Sequence, residues 1–197
     1  MIETVKDSYY NFVDEQSDIK SLIHLINLQG DNLVGLELGV YKGLSFCTIL
    51  QNCPRVKELH GIDSWEPYVD YLKDVYDEKP VFEMDNKTIK HIRLTALHNI
   101  EFSGHQQKSI IHEKDSNDAV NDFEDESLDF IFMDTYMNLE QAKKDLNSWY
   151  PKVKKGGIFS GHDWNCNIIQ NVVNDYRNKN NINSTLSVFD NTWVWKK

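Results

Sequence analysis

The sequence of 197 residues predicts an α/β fold in which a mostly parallel sheet carries helices on both faces. Short apolar runs rich in branched residues alternate with segments of helical periodicity, the order expected for parallel strands joined by crossover helices. Residues 184–197 contain two further strand-like runs around an Asp–Asn turn, and strands joined so tightly must be antiparallel. We therefore expect a parallel sheet with a reversed strand near one edge.

Each element has its own signal in the sequence. Isoleucines and leucines at helical spacing predict a helix within 17–30, which Gly30 ends. A buried strand is predicted at 32–39, and residues 43–53 are expected to form a helix that stops before Pro54. Further strands are predicted at 56–63, 109–115, 127–134 and 156–164, and further helices at 138–157, which takes in the basic stretch PKVKKGG, and at 168–180.

The connection at 64–104 is longer than one crossover needs, and its first half is rich in aromatic and acidic residues. We interpret 64–104 as a lid or substrate insert over the carboxyl edge of the sheet. The chain shows neither an internal repeat nor a low-complexity linker. It is therefore predicted to form a single domain over 1–197, with an N-terminal helical region at 1–30.

Composition and charge exclude several classes of protein. The formal net charge of −10, without a basic patch, argues against nucleic acid as a partner. The sequence contains no apolar stretch of the length that a membrane span needs and no apolar signal core. Three cysteines without a C-x-x-C pair fit a reducing compartment. We expect a soluble cytoplasmic protein with no membrane partner, which could also form a homo-oligomer.

Acidic residues stand at the ends of the predicted parallel strands. They are Glu37, Asp63, Asp115, Asp134 and Asp163. Ligands of open α/β sheets bind outside the carboxyl ends of the strands, so these acids should line one crevice. The alternative is that they cap the helices that follow, which is equally plausible for Asp115.

The first turn, Glu37-x-Gly39-x-x-x-Gly43, has a chemical interpretation. Gly39 would let the backbone turn sharply and approach a ligand, and Gly43 would allow close packing where the helix begins. Asp63 would accept hydrogen bonds from a ribose, and Asp115 with Ser116 would bind an adenine amino group and ring edge. The set favours an adenosine-containing cofactor. The middle glycine of the dinucleotide fingerprint is missing, which argues against a nicotinamide-dependent dehydrogenase.

Three stretches together resemble a known family. LELGVYKGLS at 36–45, LHGIDSW at 59–65 and the segment 127–164 resemble class I S-adenosylmethionine-dependent methyltransferases. Within that class they resemble the small O-methyltransferase group related to macrocin-type sugar O-methyltransferases and cephalosporin-hydroxylase-like proteins. The resemblance implies a Rossmann-like fold with a mostly parallel seven-stranded sheet, an antiparallel last strand and helices on both faces. It also implies methyl transfer to a hydroxyl of a small molecule, such as a sugar or glycan unit.

The resemblance also implies roles for single residues. Glu37 and Gly39 should lie near the methionine part of S-adenosylmethionine, and acids matching Asp134 and Asp163 bind a divalent cation in metal-dependent relatives. We expect Mg²⁺, for which Ca²⁺ or Mn²⁺ could substitute. The predicted cofactor-binding residues are Glu37, Gly39, Gly43, Ser45, Asp63, Ser64, Asp115, Ser116 and Asp134.

One departure from the family concerns the general base. Tyr136 and Met137 stand where relatives often carry an acid and a histidine. His162, beside Asp163, is the best-placed remaining base, so the predicted catalytic residues are His162, Asp134 and Asp163. The departure also keeps open the alternative of a cofactor-binding protein without catalytic activity.

Overall fold

The structure, a computed structural model, describes residues 19–67, 86–135 and 139–197. Short 3₁₀ turns lie at Gln106–Lys108, Val120–Asp122 and Tyr150–Lys152. The helices are α1 Lys20–Asn27, α2 Leu44–Asn52, α3 Asn86–Phe102, α4 Ser116–Ala119, α5 Leu139–Trp149 and α6 Asn167–Lys179. The strands are β1 Leu33–Leu38, β2 Val56–Ile62, β3 Ser109–His112, β4 Leu128–Met133, β5 Val153–Gly161, β6 Ser187–Phe189 and β7 Thr192–Lys196.

The seven strands form one sheet in the order β3-β2-β1-β4-β5-β7-β6. The first five are parallel to one another, and β7 is antiparallel to both β5 and β6. The predicted fold class is therefore confirmed. Because β1 pairs with β2 on one side and with β4 on the other, the strand order reverses beside β1. In an open α/β sheet, such a switch point opens a crevice at the carboxyl ends of the strands.

Two apolar layers cover the sheet, as the alternating pattern predicted. On one face, buried side chains of α1, α2 and α3 pack on the strands, among them Ile26, Phe46 and Ile92. On the other face, Leu146 and Trp149 of α5 and the valines of α6 form the second layer. No helix in the described ranges is long and apolar enough to cross a membrane.

The boundary between α5 and β5 differs from the prediction of a helix over 138–157. Helix α5 ends at Trp149, and β5 already begins at Val153. Pro151 lacks a backbone N–H, so the chain takes one 3₁₀ turn and leaves the helix. Lys154, which suggested a helix end, instead pairs with Asp129 of the neighbouring strand at 2.8 Å. The basic stretch therefore begins a strand.

The second half of the predicted insert at 64–104 is a helix in the structure, and its role as a lid or substrate insert stays a prediction. Residues 86–102 form α3, a helix of 17 residues whose buried stripe includes Ile89, Ile92, Ala96 and Ile100. This helix packs in the same core layer as α2, so it is a crossover helix between β2 and β3. Residues 68–85 of the predicted insert and residues 1–18 of the N-terminal region lie outside the described residues.

A pair of histidines joins β2 to β3 near one edge of the sheet. His60 Nδ1 and His112 Nε2 are 3.0 Å apart, and Phe123 packs against both rings. Burial lowers the pKa of both imidazoles from the usual value, and the mutual repulsion with His112 lowers that of His60 further. The negative charge of Glu58 opposes the shift of the His60 pKa, and that of Asp122 opposes the shift of the His112 pKa. The positive charge of Lys114 lowers the pKa of His112 further.

We predict that this pair makes the fold less stable as the pH falls. The unfolded histidines titrate near pH 6.5, above their folded pKa values, so the unfolded state takes up protons first. Stability should be complete above that pH and decline as the pH falls through 6.5 and towards the folded pKa values. Urea unfolding of wild type and His112→Gln at pH 7.5 and 5.5 measures the effect, with the exposed His91→Gln as control. If the free energy of unfolding falls equally from pH 7.5 to 5.5 in all three proteins, the effect does not come from the His60–His112 pair.

Candidate cofactor and metal site

A cavity of about 320 Å³ opens at the switch point of the sheet. Its wall includes these residues from the predicted site: Gly39, Asp63, Ser64, Asp115, Ser116, Asp134 and Asp163. A second cavity, of about 220 Å³, adjoins it and includes Ser45 and His162 in its wall. Gly39, Tyr41 and Asp134 line both cavities, so they form the ridge between them. Four of the five acids predicted at the strand ends, all but Glu37, therefore line one cavity.

Glu37 lies deeper than predicted. Its side chain is fully buried (0% exposed), and it lines neither cavity. The Ser45 hydroxyl donates a hydrogen bond to Oε1, while Oε2 has no partner in the described part of the chain. Burial, reinforced by the charges of Asp134 and Asp63, raises the pKa of Glu37 well above its usual value. Ser45 is thus the member of this pair that reaches a cavity wall.

The two glycines of the first turn have different roles. Gly39 has a φ of +84°, and a Cβ there would overlap the carbonyl oxygen of Asp134 and lie 2.7 Å from its carbonyl carbon. The sequence predicted that the backbone at Gly39 approaches a ligand closely. In the structure, this backbone lies against the backbone at the end of β4. Gly43, with a φ of +79°, occupies the cap position before α2, where a Cβ would meet Ala96 only at 3.6 Å. Its requirement is the left-handed backbone, not close packing.

Asp63 connects the loops that follow β1 and β2. Its carboxylate accepts hydrogen bonds from the backbone N–H groups of Tyr41 and Trp65, each at 2.8 Å. The Trp65 indole in turn donates to the Tyr41 carbonyl at 2.9 Å. Burial raises the pKa of Asp63, and these backbone hydrogen bonds oppose the shift. Asp63 therefore fixes the cavity wall as well as offering oxygen atoms to it.

The capping interpretation of Asp115 is confirmed. Its Oδ1 accepts from the Asn117 N–H at 2.8 Å at the start of α4, and the residue also lines the larger cavity. The Ser116 hydroxyl next to it donates to Asp145 Oδ1 at 2.7 Å. Asp145 and Gln141, both on α5, line the same cavity and were missed from the sequence. The available signal was an acid on the apolar stripe of α5, one residue before Leu146.

The predicted catalytic residues lie together at the ends of β4 and β5. His162 Nδ1 is 3.2 Å from Asp163 Oδ1 and 3.6 Å from Asp134 Oδ1. One potential ligand atom of each residue lies within 4.8 Å of the others, and all three side chains are half-buried. Asp163 adopts a φ of +60°, which turns the chain immediately after His162. Tyr136 and Met137 lie outside the described residues.

Backbone contacts hold this cluster at the sheet edge. The Asp134 N–H donates to the Leu38 carbonyl at 2.8 Å, and the His162 N–H donates to the Met133 carbonyl at 2.9 Å. The Trp193 indole of β7 donates to the His162 carbonyl at 3.0 Å. Three strands therefore position the carboxylates and the imidazole.

The strand order, the crevice at the switch point and the acids at the strand ends define a class I methyltransferase fold. Residues 36–164 match the profile of the methyltransferase domain family, and the chain belongs to this family. The resemblance inferred from the sequence is confirmed, and so is the enzyme class, an S-adenosylmethionine-dependent methyltransferase. None of the curated proteins compared with the chain matches it.

Solved structures share the fold at low sequence identity. The O-methyltransferase NovP is 20% identical over 95% of this chain and 79% of its own, with a TM-score of 0.61. The calicheamicin methyltransferase CalS11 is 15% identical over the same shares, with a TM-score of 0.62. A putative caffeoyl-CoA O-methyltransferase from Staphylococcus aureus is 16% identical over 100% of this chain and 91% of its own, with a TM-score of 0.60.

We predict that Gly39→Ala destabilises the protein much more than Gly43→Ala. Both residues have a left-handed backbone, for which a side chain costs about 1–2 kcal/mol, and only at Gly39 does the Cβ also overlap the backbone of Asp134. Chemical denaturation of the two variants measures the difference in the free energy of unfolding. Equal losses would show that the turn can move away from β4.

Proposed function

We propose that the protein transfers a methyl group from S-adenosylmethionine to a hydroxyl of a small molecule. The observation that carries this proposal is the pair of adjoining cavities, which meet at Gly39, Tyr41 and Asp134 beside the Asp134–His162–Asp163 cluster. S-adenosylmethionine would extend from the larger cavity past this ridge, with its methionine part in the smaller cavity, and an acceptor in the rest of the smaller cavity would meet the methyl group beside the cluster. Methyl transfer needs this alignment of two reactants and the removal of one proton.

The larger cavity offers the groups that S-adenosylmethionine requires. Asp63 and Ser64 would hold the ribose, and Asp115 with Ser116 would hold the adenine. Helix α2 begins beside the smaller cavity without a side-chain cap, so its free N–H groups suit the carboxylate of the methionine part. When bound, S-adenosylmethionine supplies an electrophilic methyl group.

His162 is suited to accept the proton of the acceptor hydroxyl. It lines the smaller cavity, and its Nδ1 faces the carboxylates of Asp163 and Asp134. The proton would therefore go to Nε2, which lies 3.5 Å from Asn191 Nδ2, so this amide would have to yield its place to the acceptor hydroxyl. Positive charge arising on the imidazole would lie beside two negative charges, which stabilise it. Asp134 and Asp163 would therefore orient His162 and balance its charge, and a histidine at position 137 is not required for this role.

The same cluster fits a divalent cation. Two carboxylates and one imidazole, with half-buried side chains and open cavity beside them, suit Mg²⁺ or Mn²⁺ with water in the remaining positions. Asp134 and Asp163 would be the ligands, with His162 either a third ligand or the base. A bound cation would supply Lewis acidity towards a hydroxyl, which lowers the demand on the general base.

The wall of the smaller cavity suits an acceptor with apolar and polar faces. Ile19, Val40 and Leu44 form its apolar part, while Thr48 adds a hydroxyl group and Ser45 stays assigned to the cofactor. A sugar or glycan unit has both kinds of surface, since its ring C–H groups are apolar and its hydroxyls form hydrogen bonds.

Cofactor binding can be tested without knowledge of the acceptor. We predict by calorimetry that the protein binds S-adenosylhomocysteine and does not bind NAD. Asp63→Ala should weaken S-adenosylhomocysteine binding by about 1.5–3 kcal/mol, because a charged hydrogen-bond acceptor is lost. Since Asp63 also holds the Tyr41 and Trp65 loops, thermal unfolding must show that the variant remains folded. The exposed Asp31→Ala is the control, and unchanged affinity in Asp63→Ala would refute the ribose assignment.

Metal binding has an independent readout in Mn²⁺ titration followed by electron paramagnetic resonance. We predict that Asp163→Asn weakens Mn²⁺ binding by roughly tenfold or more, since one charged ligand is lost. Asp190→Asn is a matched control, because Asp190 also has a positive φ, +55°, and lies in the exposed β6–β7 turn.

Once an acceptor is known, EDTA should abolish turnover. Full activity in excess EDTA would leave direct proton removal by His162 as the mechanism.

A further inference from the structure

The wall of the larger cavity contains a buried acid that the proposed mechanism does not use. Asp145 of α5 is only 1% exposed, although its helix otherwise buries apolar residues. Its Oδ1 accepts from the Ser116 hydroxyl at 2.7 Å and from Gln141 Nε2 at 2.9 Å. Its Oδ2 has no hydrogen-bond partner in the described residues. An unpaired buried carboxylate oxygen is costly, so a role beyond packing is indicated.

The hydrogen bonds around Asp145 use up the donors of its neighbours. The single hydroxyl hydrogen of Ser116 goes to Asp145. The two amide hydrogens of Gln141 go to Asp145 and to the Ser116 oxygen, the latter at 3.0 Å. Asn117 Nδ2 donates to Asp115 and to Gln141 Oε1. The side chains of these residues therefore have only lone pairs left to offer a ligand.

We propose that Asp145 is a specificity-determining residue that makes this end of the cavity a surface of hydrogen-bond acceptors. These side chains can accept hydrogen bonds from an exocyclic amino group, as at position 6 of adenine, and repel the carbonyl oxygen that a 6-oxo ring carries at the same position. The inference rests on the proposed function, because it concerns the base of the nucleoside cofactor. Lys114, which also lines the cavity, directs its ammonium group to Asp122.

The charge state of Asp145 is compatible with this role. Burial raises its pKa to about 6, and the charge of Asp115 contributes in the same direction. The hydrogen bonds from Ser116 and Gln141 and the charge of Lys144 oppose the shift. Asp145 is therefore ionised above neutral pH, and an ionised carboxylate can only accept, so both neighbouring groups must donate to it.

The test compares two ligands that differ at one ring position. Calorimetry at pH 8 should show that wild type binds S-adenosylhomocysteine roughly tenfold or more tightly than S-inosylhomocysteine, which carries the 6-oxo ring. In Asp145→Leu, Ser116 and Gln141 lose the oxygen to which both donate, so the Ser116 hydroxyl hydrogen is free for a ligand. The preference should fall roughly tenfold. Glu140→Gln, at an exposed acid of the same helix, should keep the wild-type ratio.

Each outcome separates this inference from the proposed function. Wild type that binds neither ligand contradicts the proposed function and this assignment with it. Wild type that binds both equally, or a folded Asp145→Leu with the wild-type ratio, overturns the assignment alone. If Asp145→Leu does not fold, Ser116→Ala replaces it, because it removes the hydroxyl that Asp145 orients and leaves the carboxylate in place. An unchanged ratio in that variant would equally overturn the assignment.

Discussion

At the switch point of the sheet, the turn after β1 passes directly against the backbone at the end of β4. Gly39 makes this possible, because no side chain fits between the turn and the Asp134 carbonyl. Two hydrogen bonds fix the arrangement, from the Gly39 N–H to the Ile62 carbonyl at 2.9 Å and from the Asp134 N–H to the Leu38 carbonyl. The ends of three strands are thereby locked together. The ridge between the cavities, the position of Asp134 and the depth of Glu37 all follow from this contact.

Several acids in and behind the cavity walls are buried, and burial disfavours their ionised form. Burial raises the pKa values of Glu37, Asp63 and Asp145, and each lies within or just behind the wall of a cavity. Buried carboxylates with incomplete hydrogen bonding lower the stability of the empty protein. Such groups are characteristic of binding and catalytic sites, where a ligand completes the missing interactions. The arrangement therefore favours a protein that is stabilised by its ligand.

The sequence predicted the sheet and the crevice well, because periodicity and the strand-end rule are local signals. It failed where a partner lies far along the chain. Lys154 suggested a helix end because its partner Asp129, on the neighbouring strand, is visible only in the fold. The apolar stripe of α3 was present in the sequence but was outweighed by the aromatic and acidic residues before it. Asp145 was missed because its contact with Ser116 joins two helices across the cavity wall.

The position of β7 in the sheet has a consequence for the order in which the site forms during synthesis. Trp193 of this strand packs where a Cβ on Gly161 would lie, and its indole anchors the His162 carbonyl. Yet β7 leaves the ribosome after every other described element. The cavity wall at the ends of β1, β2 and β3 is therefore synthesised before the strand whose indole anchors His162. The last segment of the described chain to be made thus completes the support of the cluster at the ends of β4 and β5.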